Sequence, residues 1–338
     1  MALVEICAEG IASAFSAIAG GADRVELCEN LAAGGVTPSI GAITRLCRAG
    51  GGKAVHVLIR PRGGDFLYQS FEVEAMRIDL EAARAAGTSG VVLGLLTPEG
   101  RVDLSGSRWL IEAARPMSVT FHKAFDATRD PFEALDDLIA LGVDRVLTSG
   151  RAATAREGLP LLVELVRRSA GRIAVMAGGS IRESEVPALV EAGLAEIHLG
   201  SAAALEGATD AGLVRRIVAL ARSGSTEIYH LTTRNEWDRA RAEGAYRAAS
   251  LDAEGFIHAS TASQVEGSAN RFFPGRLGIV LLVIAVARVR VPIRWEASSH
   301  SEHPFPHLDG PLNLDAVRSC NDLKPDQAGY FRWPARST

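Results

Sequence analysis

The chain has 338 residues, a formal charge of −4, 47% apolar residues and 22% charged ones. That is an ordinary soluble globular profile, and the length predicts two domains. A net negative balance without clustered Lys and Arg argues against a nucleic-acid groove or a membrane-surface patch, so neither nucleic acid nor membrane is an expected partner.

The chain opens M-A-L-V-E-I-C, with no basic stretch and with Glu5 early, which does not read as a signal peptide. Four sparse cysteines (Cys7, Cys28, Cys47 and Cys320) make no C-x-x-C pair, so reduced thiols and a cytoplasmic location are expected. A pattern then recurs: apolar helix, Gly, a few residues, β-branched run. It appears at Gly20-Gly21 before Val25, at Gly87 before Val91, at Gly142 before Val146 and at Gly193 before Ile197. Glycine supplies the left-handed turn that ends a helix and feeds a strand. Eight strands are predicted, at 3–7, 23–28, 53–60, 89–95, 117–122, 144–148, 172–177 and 195–200, with helices such as Phe71–Ala86 and Pro131–Leu141 between them. Alternation of this kind specifies a parallel sheet, and eight units fit a closed (β/α)8 TIM barrel over residues 1–222. An open doubly wound sheet would need a glycine-rich phosphate turn after an early strand, and Glu5-Ile6-Cys7-Ala8-Glu9-Gly10 is not one.

Barrel chemistry sits at the C-terminal ends of the strands. Alternation puts Glu5 with Cys7, and Glu26 with Cys28, on one face of neighbouring strands. Strand five, V-T-F-H-K-A-F-D, delivers His122, then Lys123 and Asp126. Burying these charges unpaired is costly, so Glu5 and Glu26 are expected to pair with Arg60, His122 or Lys123. The loop from Arg60 through Arg62 to Asp65 is rich in glycine and arginine. Ser149-Gly150, Gly178-Gly179 and Gly200-Ser201 offer backbone N–H groups where anions bind. With His198 on strand eight, these residues predict an anionic small molecule as ligand.

The motifs V-E-I-C, G-A-D-R-V-E-L-C, G-G-V-T-P-S-I-G, I-R-P-R-G-G-D-F, V-T-F-H-K-A-F-D, D-R-V-L-T-S-G and A-G-G-S-I-R resemble the CutC family, named for copper homeostasis. The resemblance covers nearly all of Met1–Arg222. It implies a (β/α)8 barrel, a cytosolic protein, self-association into a homo-oligomer, and copper binding. Members commonly have Arg where this chain has Lys123. Soft Cu(I) favours thiolates, so Cys7 and Cys28 are the candidate metal ligands, with His122 or His198 as a further one. The other reading is an enzyme acting on a phosphorylated or carboxylated metabolite. In it Glu26 or His122 is the general acid/base with Asp126 beside it, Lys123 and Arg60 hold the anion, and the glycine loops grip a phosphate.

After Arg222 the composition shifts. Residues 223–226 read as a linker and 227–338 as a small α+β, mostly β, domain. The apolar run Gly278–Ala287 is about half the ~20 residues a membrane helix needs and predicts a buried strand. Y-H-L-T, G-F-I-H-A-S, R-W-E and F-P-H-L-D-G-P-L resemble the domain of unknown function 952 family, which usually has Tyr where Asp309 stands. That family's fold is thought similar to ADP-ribosyl-transferring enzymes. The likeness implies NAD, with His230 and Thr232 holding a ribose and Glu296 orienting the sugar. From the residues alone, His230, His258 and His307, with Ser260 nearby, are candidates for zinc or for structural histidines satisfied by backbone.

Overall fold

The computed structural model describes residues 2–49, 54–200, 203–205, 208–223, 227–298 and 301–332. The chain divides into two compact units, Met1–Val218 and Ala219–Thr338.

The first unit is a closed parallel barrel of eight strands in sequential order. The strands are β1 Leu3–Glu9, β2 Arg24–Cys28, β3 Ala54–Leu58, β4 Gly90–Leu93, β5 Ser118–Phe121, β6 Arg145–Thr148, β7 Ala174–Gly178 and β8 Glu196–Leu199. Between and after them come α1 Gly10–Ala19, α2 Ile40–Ala49, α3 Ser70–Ala86, α4 Leu104–Ala114, α5 Pro131–Ala140, α6 Leu159–Ser169, α7 Val186–Glu191 and α8 Ala211–Ser223, the last running past the division at Val218. The recurring glycines do what the sequence predicts: Gly21, Gly87, Gly142 and Gly193 all have φ between +72° and +92°. Gly87 donates its N–H to the carbonyls of Ala83 and Arg84, closing α3. Helix starts are fixed by side chains. Asp130 accepts from Phe132 and Glu133 N–H ahead of Pro131, and Asp103 does the same for Ser105 and Gly106, each cap contributing about 1 kcal/mol.

The outward faces of the strands form the core. Val4, Ile6, Val25, Leu27, Val57 and Phe121 are buried beneath helices that contribute Leu46, Leu80, Leu138, Leu162 and Leu165. Each such side chain stabilises the fold by about 1.5–3 kcal/mol. The interior differs from the branched apolar filling usual in these barrels. Leu58, Val92, Leu147 and Met176 are there, but Glu5, Arg24, Glu26 and His56 are also almost wholly buried.

In the second unit, Ile279–Ala285 is the central strand between Glu227–Thr233 and Val317–Leu323, antiparallel to both. All seven residues of Ile279–Ala285 are buried, as the apolar run predicts. A second three-stranded sheet has Ser301–Leu308 between Ile257–His258 and Ile293–Ser298, and Ala245–Tyr246 pairs with Leu312–Asn313. The unit also carries helices at Arg234–Glu243, Ala249–Glu254 and Val265–Phe272. No helix among the described residues is long and apolar enough to cross a membrane.

Candidate functional site

Strand register decides what meets inside the barrel. Glu5 lies opposite Arg24, Cys7 opposite Glu26 and Glu9 opposite Cys28, while Glu5 faces His198 on the other side. Near the N-terminal ends of the strands, Glu196 accepts from Arg24 Nη2 at 2.5 Å and from Arg145 Nε at 3.0 Å. Arg145 Nη1 also donates to Ser118 Oγ at 2.7 Å. Arg24 donates through Nε to Glu5 and through Nη2 to Met176 Sδ. Glu5 Oε1 then lies 2.7 Å from His198 Nδ1, and His198 Nε2 lies 3.5 Å from Glu26 Oε2. Toward the C-terminal end, the Cys7 and Cys28 sulfurs are 3.6 Å apart, with Cys28 donating to the Ala8 carbonyl. An unbroken polar chain thus runs up the inside of β1, β2 and β8.

The charges along it are set by their neighbours. Burial alone would raise the Glu5 carboxyl, but the His198 hydrogen bond and the Arg24 guanidinium outweigh it and hold Glu5 well below the carboxylate range. Glu26 moves the other way. Burial raises it, the Glu5 charge adds to this, and His198 only partly compensates. His198 is raised: burial opposes its charge, but the Glu5 hydrogen bond and the Glu26 carboxylate prevail. The Cys7 thiol is pushed up by its contact with Cys28, by burial and by Glu26. Among the described residues, Cys7, Glu26 and His198 are the group whose ligand atoms all lie within 4.8 Å of one another. Gly200 adjoins them, since a Cβ there would sit 3.8 Å from Cys7 Cβ. Ser201 lies outside the described residues.

The pairing expected for Glu5 and Glu26 is corrected. Their partners are Arg24 and His198, not Arg60, His122 or Lys123. Alternation puts Arg24 on the same face as Glu26, two residues on in R-V-E-L-C, and the register of β1 with β2 sets it opposite Glu5. Arg60 bends back to its own surroundings, donating to the carbonyls of Ala33, Gly35 and Gly64. Arg62 braces its loop through Glu72, Asp65 and the Leu67 carbonyl, so its cationic fork is already used by the protein. His122 is 6% exposed. Its Nδ1 accepts from Ala124 N–H at 3.1 Å, and burial, then the Arg60 charge, pushes its pKa to about 3.

Lys123 stands on a 3-10 turn, Lys123–Ala127, and its Nζ lies 3.8 Å from Asp126 Oδ2. Asp126 is a brace. It accepts from Thr148 Oγ1 at 2.5 Å, Ser149 N at 3.0 Å, Ser149 Oγ at 2.9 Å and Arg151 N at 3.1 Å. The Gly150 N–H is taken by Thr148 Oγ1 at 2.9 Å. Gly178 and Gly179 are needed for close packing, because a Cβ would strike Leu147 at the first and Ser149 at the second. Ser149 and Gly150 therefore spend the donors expected to hold an anion on the loop itself.

In the second unit, a cavity of about 1180 Å3 is lined by His230, Thr232, His258, Ser260, Glu296 and His307, among others. The backbone-satisfied reading holds for His230: Nδ1 lies 2.5 Å from the His258 carbonyl and Nε2 2.8 Å from the Tyr246 hydroxyl. That hydroxyl also meets Thr232 Oγ1 at 2.8 Å. Burial lowers His230 to about 4. Ser260 Oγ lies 3.0 Å from Ser268 Oγ. His307 stacks on Phe256 at 4.1 Å and 14° and lies 3.2 Å from Glu296, while the His258 ring stands edge-on to His307. With both ring nitrogens of His230 engaged, the three histidines do not form a metal cluster among the described residues.

Residues 2–203 match the CutC family, and residues 231–320 match a protein of unknown function, DUF952. A family protein CutC of Chromobacterium violaceum is 50% identical over 197 residues, spanning 58% of this chain and 79% of that one. The human copper homeostasis protein cutC homolog is 45% identical over 197 residues, spanning 58% of this chain and 72% of that one. A crystal structure of a CutC protein from Streptococcus agalactiae overlays with a TM-score of 0.57 at 34% identity, covering 60% of this chain and 99% of that chain.

Proposed function

The chain belongs to the CutC family, and from that premise we propose that it binds one Cu(I) ion between the Cys7 and Cys28 sulfurs. The observation that carries this reading is their 3.6 Å separation at the C-terminal end of two neighbouring strands. Two sulfurs that close can both reach one soft ion, taking a metal–sulfur bond of about 2.3 Å as a gauge from zinc. Relatives named for copper homeostasis support the choice of ion. Glu26 and His198 lie within reach as further ligands or as acceptors of the displaced thiol protons, since thiols must deprotonate to bind. Anaerobic titration with Cu(I) against a competing chelator tests it. The wild-type chain should take up one ion tightly, and Cys7→Ser with Cys28→Ser should lose it. Cys47→Ser with Cys320→Ser should not. Unchanged stoichiometry in the first pair removes the proposal.

A second reading rests on the opposed shifts of Glu5 and Glu26 across one imidazole. Two carboxylates pushed apart in this way are the mark of acid/base assignment, with Glu26 as the acid toward a small phosphorylated or carboxylated metabolite. Thermal-shift screening against sugar phosphates and carboxylates tests it, since a ligand at 100 times its Kd stabilises by ~2.7 kcal/mol. No shift with any of them counts against it. In the second unit, NAD would meet Glu296 and serine hydroxyls of the cavity before His230, whose nitrogens are occupied. Isothermal titration of NAD into the whole chain is the check, and an empty titration removes that reading.

A further inference from the structure

Cys7, Glu26 and His198 come from three different strands, β1, β2 and β8, and one ligand atom of each lies within 4.8 Å of the other two. Strand register brings them together. Cys7 lies opposite Glu26, and His198 arrives from β8 on the other side of β1. Cys28 stands outside this group: its sulfur is 3.6 Å from that of Cys7, and its thiol turns to the Ala8 carbonyl. The group is open to an ion from solvent, because Cys7 is half-buried and the His198 side chain keeps 12% of its surface exposed.

A metal ion needs no chamber beyond its own donors, since it takes the place of the protons they share. With sulfur at about 2.3 Å and nitrogen and oxygen at about 2.0–2.2 Å, a tetrahedral ion sets its donors about 3.3–3.6 Å apart. His198 Nε2 and Glu26 Oε2 are already 3.5 Å apart. The imidazole is also oriented. Glu5 Oε1 lies 2.7 Å from His198 Nδ1, and Arg24 in turn donates to Glu5. A carboxylate on one ring nitrogen keeps the proton there and leaves the lone pair of the other for a metal. The donor set then selects the ion. One thiolate and one carboxylate carry two negative charges, which a dication cancels and Cu(I) does not. Mg2+ and Ca2+ take oxygen ligands, whereas sulfur, nitrogen and oxygen together suit zinc and its neighbours. We propose that Cys7, Glu26 and His198 form a second metal site, for a zinc-class dication, with the fourth position left to water. Three protein ligands and one open place is the pattern of zinc sites that perform chemistry. This site competes with the copper reading for Cys7 but makes no use of Cys28, so either reading can fail without the other.

The full chain is titrated anaerobically with Co2+, a coloured substitute for zinc. One equivalent should give thiolate-to-cobalt charge transfer together with the strong visible bands of a four-coordinate ion, and one equivalent of Zn2+ should erase both. Cys7→Ser should remove the charge-transfer absorption, and His198→Gln should weaken cobalt about a hundredfold. Glu26→Gln, which keeps the shape of the side chain, makes the same test should His198→Gln not fold. Cys28→Ser should keep the cobalt spectrum while losing Cu(I). A wild-type chain without the charge-transfer band, unchanged cobalt affinity in His198→Gln or Glu26→Gln, or a loss in Cys28→Ser as complete as in Cys7→Ser overturns the proposal, the last by placing the ion between the two sulfurs. Cobalt bound by a chain that takes up no Cu(I) supports this site and removes the copper reading alone.

Discussion

A methyl group added at Gly90 would overlap the His56 ring, and one at Gly94 would come within 2.5 Å of His122 Cε1 and Nδ1. Gly90 of β4 and Gly94 just beyond it therefore make room for imidazoles from the segments on either side. Gly90→Ala should cost about 1–3 kcal/mol through overpacking, and adding His56→Ala should return part of that. Urea unfolding of the single and double variants measures it, and additive losses would show that the two positions do not share space. The same imidazoles impose a pH dependence. Burial, opposed by Glu5 in one case and aided by Arg60 in the other, takes His56 and His122 from 6.5 to about 3. Both are neutral when folded and charged when unfolded at mildly acid pH. The unfolded chain then binds more protons, so their contribution is present above about pH 6.5 and is lost as pH falls toward 3. Glu5, lowered by His198 and Arg24 against the effect of burial, loses its contribution on the same acid side, below its ordinary 4.5. His198 has the opposite sign: raised, it contributes below 6.5 and loses that as pH rises through its folded value. The urea midpoint should drop steeply between about pH 6.5 and 4, and a flat profile there would contradict the buried neutral rings.

The 3-10 turn Lys123–Ala127 is tied to the segment after β6 almost wholly through Asp126. Asp126→Ala leaves Thr148 Oγ1, Ser149 N and Arg151 N without that acceptor and should cost about 2–4 kcal/mol. Hydrogen exchange at the Ser149 and Arg151 amides should quicken while that of β1 stays slow, and unaltered exchange at both would deny the brace. This element shows where sequence reading stops. The strands were legible because β-branched runs follow glycine turns at Gly21, Gly87, Gly142 and Gly193. The shared faces of Glu5 with Cys7 and of Glu26 with Cys28 were legible because alternation is local. The partners were not, since choosing Arg24 over Arg60 for Glu5 depends on the register of β1 with β2. The same holds for Asp126: its side chain could as well face a ligand as the Ser149 loop, until β5 and β6 are set side by side.

The two units carry separate cores, one under the barrel helices and one built on Tyr229, Val265, Leu281 and Phe331. Units with their own cores unfold independently when few contacts cross between them. Calorimetry of the whole chain should show two transitions. Cu(I) should raise only the one belonging to residues 1–218, because ligand stabilisation acts on the unit that holds the ligand. A single transition, or both moving together with copper, would mean that the units melt as one.

The polar chain inside the barrel has a consequence for how the molecule is made. Glu5 leaves the ribosome 193 positions ahead of His198, and Arg24 precedes Glu196 by 172. Until β8 emerges, a nascent half-barrel holds Glu5 and Arg24 without Glu196 or His198, and Glu26 has no counter-ion. Closure must therefore wait for β8, and synthesis halted before it leaves an open shell with acid groups at its seam.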